Sequence, residues 1–160
     1  MKIILLLLIF ILSLSCEKQD DETPNIVING QKTYLYHYDD FVLWSEASEE
    51  IVAGNGAESE TDGYLNSASI VEQLGEGDYA AYLCDTLISD GLSDWYLPSF
   101  EELKIIYQEK NSVDFKWFGH YYWSSSEFDS TYAKSVSMLN GGISYYTKVI
   151  SCNVVCICKE

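Results

Sequence analysis

Residues 93–107 read Ser-Asp-Trp-Tyr-Leu-Pro-Ser-Phe-Glu-Glu-Leu-Lys-Ile-Ile-Tyr, and the remaining chain arranges itself around them. Ser99, followed three residues later by Glu102, makes a reciprocal capping box, and Pro98 stands just before it as the chain turns into a helix. Leu103, Ile106 and Tyr107 then share one stripe, so that helix offers an apolar face to a core. Trp95 and Leu97 deliver apolar mass to the same core immediately upstream.

Upstream of that stretch, Asp78 is a good N-cap for a second helix running to about Ser89, before Gly91. Ala80, Leu83, Cys84, Leu87 and Ile88 fall at helical spacing, which turns Cys84 to the core. A helix over Asn66–Leu74 carries the capping pair Ser69 and Glu72 and stops at Gly75. Residues 45–63 hold Glu46, Glu49, Glu50, Glu58, Glu60 and Asp62 among three glycines and read as an acidic loop. Phe41–Trp44 is a short strand. Ile26–Ile28 and Thr33–Tyr36 flank Asn29-Gly30, a hairpin signal because both turn residues tolerate positive φ. Downstream the pattern changes to strands. Tyr121–Trp123 begins one and Tyr132–Leu139 alternates; Asn140-Gly141-Gly142 turns the chain into Ile143–Ile150, and Asn153–Lys159 closes it. A hairpin, two or three helices and an antiparallel meander make an α+β domain over residues 26–160.

The 160 residues are 48% apolar and 14% aromatic, enough to pack a core. The formal charge is −16, and all nine basic residues are Lys. Without Arg there is no guanidinium fork for phosphate or sulfate, and the acidic surface repels polyanions at long range. Nucleic acid is therefore excluded as an expected partner, and sulfated polysaccharide is a poor one.

The first residues are read as an address. Lys2 precedes the apolar run Ile3–Leu12, which is too short to span a hydrocarbon core of about 30 Å. It reads as a signal peptide over residues 1–15. Ser13-Leu14-Ser15-Cys16 resembles a bacterial lipobox, which implies a lipid on Cys16 and anchoring to the membrane. Glu17-Lys18-Gln19-Asp20-Asp21-Glu22 resembles an acidic surface-export tag and forms, within residues 16–25, a solvated tether. The expected location is the outer membrane, at the cell surface. Export also favours disulfides for Cys84, Cys152, Cys156 and Cys158, which allow three connectivities. On a single strand over residues 152–158, the last three would share one face. A metal knuckle built from them would need Cys84 as a distant fourth ligand.

Four stretches together resemble the Lcl C-terminal domain family, a C-type-lectin-like module of bacterial surface proteins. They are Asp78–Cys84, Ser93–Leu103, Tyr122-Trp123-Ser124-Ser125-Ser126-Glu127 and Asn153–Ile157. The resemblance covers roughly residues 41–159. It implies a compact α+β fold whose terminal strands meet, with a loop region that carries ligand binding. It also implies a bridge from Cys84 to Cys156, tying a helix to the last strand, with Cys152 and Cys158 as a strained second pair or free thiols. Most motif residues have structural roles. Trp95, Leu97, Pro98 and Glu102 build the core and the helix start, and Trp123 buries its ring. Ser124, Ser125 and Ser126 are expected to satisfy backbone groups in a turn. Where the family commonly carries Arg, this chain has Tyr96, Val155 and Cys158, so binding of sulfated glycans is not carried over.

Reactive sets are sparse. No calcium-loop tripeptide, no His-Glu-x-x-His and no Gly-x-Ser-x-Gly is present, and His37 and His120 are the only histidines. No catalytic residue, cofactor or metal is expected. Clustered acids such as Asp39-Asp40 or Glu58, Glu60 and Asp62 read as a solvated face. Thirteen tyrosines stand out. Tyr121-Tyr122 and Tyr145-Tyr146 are adjacent pairs, so in a strand one of each faces outward. These four, with Trp117, are the candidate ligand-binding residues. The expected function is a non-catalytic binding or adhesion module for a glycan or protein. The alternatives are a structural subunit of an outer-membrane surface complex and, less favoured, a thiol-dependent enzyme using Cys156 and Cys158.

Overall fold

The computed structural model describes residues 23–45, 56–113, 117 and 121–160. The signal peptide, Cys16, most of the tether, half of the acidic loop and His120 lie outside the described residues. Among those described, no helix is long and apolar enough to cross a membrane. The elements are β1 (Asn25–Ile28), β2 (Gln31–His37), β3 (Val42–Leu43), α1 (Gly63–Leu74), α2 (Ala80–Asp85), α3 (Phe100–Glu109), β4 (Tyr121–Glu127), β5 (Tyr132–Ser137), β6 (Ile143–Thr147), β7 (Ser151–Cys152) and β8 (Val155–Lys159). The architecture is α+β, with three small antiparallel sheets ordered β1-β2-β8, β3-β7 and β4-β5-β6.

The hairpin forms as read. Asn29 at φ 51° and Gly30 at φ 82° turn β1 into β2 with Ile28 opposite Gln31. β2 then pairs with β8, Leu35 opposite Ile157 and Tyr36 opposite Cys156, so the two ends of the domain close on each other. β8 is covered on both faces. Val155 and Ile157 enter a cluster with Ile28, Leu35, Phe100, Leu103, Tyr122 and Val136. Cys156 and Cys158 enter another with Trp44, Tyr79, Trp95, Leu97 and Trp123. The alternation of a strand thus feeds two cores at once. The bridge Cys84–Cys156 fastens α2 to β8 inside the second of them.

α3 starts at its box: the Ser99 hydroxyl accepts from the Glu102 N–H, and the Glu102 carboxylate accepts from the Ser99 N–H at 2.8 Å. Glu102 does more than cap. Its Oε2 also accepts from the Gly63 N–H at 3.2 Å, while Oε1 receives the Tyr96 hydroxyl at 3.0 Å and the Lys159 ammonium at 2.7 Å. One buried carboxylate therefore joins α3, the start of α1, the segment leading into α3 and the last strand.

Three expectations are corrected. α1 begins at Gly63, capped by Asp62 through the Leu65 N–H at 3.0 Å, three residues before the expected start. Ser69 and Glu72 lie inside it, and Asn66 is buried, with its side chain holding the Ser59 carbonyl at 2.7 Å. α2 covers only Ala80–Asp85 and has no side-chain cap, so Asp78 stands outside it. Residues 152–158 are not one strand. Cys152 pairs with Val42 in β3-β7, Asn153 bonds across to Tyr121 and Trp123, and the chain enters the other sheet at Val155.

The serine run is also a strand, not a turn. Ser124–Ser126 lie in β4, where the register shifts between Trp123 and Glu127. Ser124 donates to the Lys134 carbonyl at 2.9 Å and Ser126 to the Ser59 carbonyl at 2.6 Å, while Ser126 accepts from the Phe100 N–H at 2.9 Å. The bulge leaves backbone partners unpaired in the ladder, and the hydroxyls satisfy neighbouring segments instead.

Candidate functional site

Alternation in β4 and β6 separates the expected aromatic face into different places. Tyr121 and Tyr146 turn to one side and meet edge to face, centroids 5.1 Å apart. With Phe41, Ile150, Cys152 and Asn153 they line a groove of about 350 Å³ beside the β3-β7 pair. Phe41 is 64% exposed and Ile150 38%, so apolar surface reaches solvent at its edge. Asn153 is fixed by its amide, which donates to the Tyr121 carbonyl at 3.0 Å. This is an apolar slot with few polar groups, the usual chemistry of a recognition site.

Cys152 lines that groove as a buried free thiol. Burial pushes its thiol up to about 12, far above the range in which a thiolate forms. Cys156 is spent in the bridge, and Cys158 is a buried free thiol pushed upward by burial and then by Asp94. The cysteine pair considered for redox chemistry is thus divided between a disulfide and a buried thiol.

Tyr145 points to the other side of β6, against Phe128 at 4.5 Å between centroids. Both are about half exposed. Beside them lies a second pocket, of about 550 Å³, lined by Glu58, Glu60, Glu127, Phe128, Asp129 and Lys134. Glu127 ends β4, and its N–H bonds the Ala57 carbonyl at 2.9 Å, which brings the 57–60 segment alongside. Its Oε1 is paired with the buried Lys148 ammonium, itself bonded to the Ser130 carbonyl at 3.1 Å. Among the described residues, its Oε2 is buried with no hydrogen-bond partner. Leaving such an oxygen unmet costs about 1–3 kcal/mol or more. Burial raises the Glu127 carboxyl to about 7; Lys148 opposes the shift, and Glu58 and Asp129 add to it.

The acids read as one solvated face are sorted by the fold. Asp62 caps α1, Glu60 pairs with Lys134, and Glu58 faces the pocket. Among the described residues, no three of His, Cys, Asp and Glu are gathered to hold a metal ion.

Tyr122 is a correction. It is fully buried, and its hydroxyl meets His37 Nε2 at 2.6 Å, so it belongs to the core and offers nothing to a ligand. His37 is held neutral-leaning by burial, with Asp39 pulling the other way. Trp117 packs edge-on to Tyr122 and donates to the Lys110 carbonyl at 3.1 Å, so it is outside the groove lining. Tyr121, Tyr145 and Tyr146 remain at the surface. Reading from sequence missed Phe41, Ile150, Phe128 and Glu127. Adjacent tyrosines signalled an outward face, but nothing local linked residue 41 to residue 146 or residue 58 to residue 127. The chain matches no family model, and no curated protein matches it either.

Proposed function

We propose that this chain is a lipid-anchored surface protein of the bacterial outer membrane whose C-type-lectin-like domain binds a neutral glycan or a protein without catalysis. The observation that carries the reading is the groove, where Tyr121 and Tyr146 present ring edges and faces beside exposed Phe41 and Ile150. Tyrosine offers apolar area with a polar tip at little conformational cost, suited to stacking on sugar rings or gripping a protein. The charge of −16 and the absence of Arg direct the choice toward uncharged ligands. The closure of β2 on β8 and the helix-to-strand bridge support the lectin-like assignment.

The test is a glycan array and a host-protein pull-down with the full mature chain, alongside Tyr146→Ala and the double variant Tyr121→Ala/Tyr146→Ala. Binding by the parent that falls at least roughly tenfold in the double variant, with unchanged folding, is expected if these rings anchor the ligand. No binding above background in either assay would overturn the reading. Globomycin sensitivity and labelling by palmitate are expected for the anchor on Cys16.

A further inference from the structure

The Tyr121–Tyr146 groove has a shape and a polarity that distinguish between its possible ligands. The two ring planes stand at 84°, so they form a corner rather than a flat platform. Tyr146 is braced by the buried Trp123 ring, again edge to face, at 6.3 Å between centroids. Exposed Phe41 and Ile150 add apolar surface to the same groove, and no charged side chain lines it. Its polar groups are few. Among the described residues, the hydroxyls of Tyr121 and Tyr146 meet no hydrogen-bond partner. Asn153 is 4% exposed; its amide nitrogen is committed to the Tyr121 carbonyl at 3.0 Å, and its Oδ1 accepts nothing from the described residues. That oxygen is not sealed off, because Glu127 Oε2 is the one buried side-chain oxygen or nitrogen left without a partner among those residues. A side chain more than nine-tenths buried therefore keeps one free acceptor within reach of solvent where it lines the groove.

These features suit a polyproline segment better than a sugar. A pyranose needs an open aromatic face and a partner for each hydroxyl it buries, and the groove supplies few. A polyproline helix is the reverse case. Its pyrrolidine rings wedge between aromatic side chains, its carbonyls accept from tyrosine hydroxyls, and it has little conformational freedom left to lose. The N–H of a non-proline residue in the same segment is the donor for Asn153 Oδ1. Charge completes the match. Asp39, its side chain 92% exposed, and exposed Asp40 immediately precede Phe41, on a chain of formal charge −16. We infer that the groove binds a proline-rich segment of a partner protein, in polyproline II conformation, with a basic residue flanking it toward Asp39 and Asp40.

This inference rests on the groove being the recognition site, and the experiment separates the two. The full mature chain is titrated by calorimetry with the peptide Lys-Lys-Pro-Pro-Ala-Pro-Pro-Ala-Pro. The comparison arms are the same peptide with glycine at every proline, the same peptide with Glu-Glu in place of Lys-Lys, and cellohexaose as a neutral glycan. Saturable binding of the first peptide is expected, lost with the glycine peptide and weakened by the glutamate flank. Tyr146→Ala and Phe41→Ala are each expected to weaken it by at least about tenfold. Phe41 is 64% exposed, so its variant is expected to melt like the parent, which keeps loss of binding apart from loss of folding. The inference is overturned if the proline peptide shows no saturable binding, if the glycine peptide binds as tightly, or if both variants bind like the parent. Failure of the peptide alongside binding of cellohexaose that Tyr146→Ala abolishes overturns this inference alone and leaves the recognition reading standing. Silence in every arm, with the glycan array and pull-down also silent, overturns both.

Discussion

Reducing the Cys84–Cys156 bridge releases a loop of 72 residues in the unfolded chain. Loop-closure entropy for that length amounts to about 4 kcal/mol at 25 °C, lost from stability when the bridge opens. With an m-value of about 2 kcal/mol/M in urea, the unfolding midpoint falls by about 2 M. Cys84→Ala/Cys156→Ala is expected to fall at least as far, since both cysteines are fully buried in the cluster around Trp95 and Trp123 and their sulfur contacts disappear too. The assay is urea titration followed by tryptophan fluorescence, oxidised against reduced, with Trp44, Trp95 and Trp123 as buried reporters. A rise in m on reduction would accompany the shift, because the open chain exposes more surface when unfolded. Coincident midpoints for the oxidised and reduced chains would refute the loop-closure reasoning, and peptide mapping that joined Cys84 to another cysteine would refute the pairing.

Glu102→Ala removes the acceptor for Gly63, Ser99, Tyr96 and Lys159 together, and is expected to cost about 3–5 kcal/mol by chemical denaturation. Glu102→Gln, which keeps an acceptor but loses the charge, is expected to cost less. Gly63→Ala would place a Cβ 2.4 Å from the Ser99 nitrogen and 2.7 Å from the Leu97 carbonyl oxygen. Both neighbours are backbone, so α1 must move away from α3; a loss of at least about 2 kcal/mol is expected, and a thermal melt matching the parent would contradict the packing. Glu127 makes stability depend on pH. Its carboxyl sits at about 7 when folded against 4.5 unfolded, so the folded chain binds more protons in that window. Stability contributed by this group is complete below about pH 4.5 and lost as pH rises through 7, by up to about 3 kcal/mol. Comparison of the parent with Glu127→Gln at pH 5 and pH 8 checks the sign, since the variant lacks that falling slope.

What short stretches of chain declare is set by short-range forces. Asn29-Gly30 makes its hairpin because two neighbouring residues accept positive φ, and Ser99 with Glu102 makes its box within one helical turn. The alternation that sends one tyrosine of each pair inward is likewise a property of a strand, whatever packs against it. Other features depend on groups brought together from far apart. Position 63 must be glycine because Leu97, Ser99 and Glu102 press on it, and only a residue without a side chain fits there. Residues 152–158 divide between two sheets because β3 and β2 each take one part as partner, an exchange that no periodicity within the segment records.

The two candidate sites follow the same division. That one tyrosine of each adjacent pair turns outward is legible in the spacing; which one does, and that Tyr121 and Tyr146 meet beside Cys152 with Phe41 and Ile150, required three strands to converge. Glu58, Glu60 and Asp62 look equivalent along the chain. Asp62 caps a helix through Leu65, three residues on, whereas Glu58 faces a pocket and Glu60 neutralises Lys134 because the fold brings distant segments beside them. Local hydrogen bonding and periodicity act over a few residues and survive in the sequence as pattern. Burial, ion pairing and pocket shape act between segments whose separation in sequence carries no information about their distance in space.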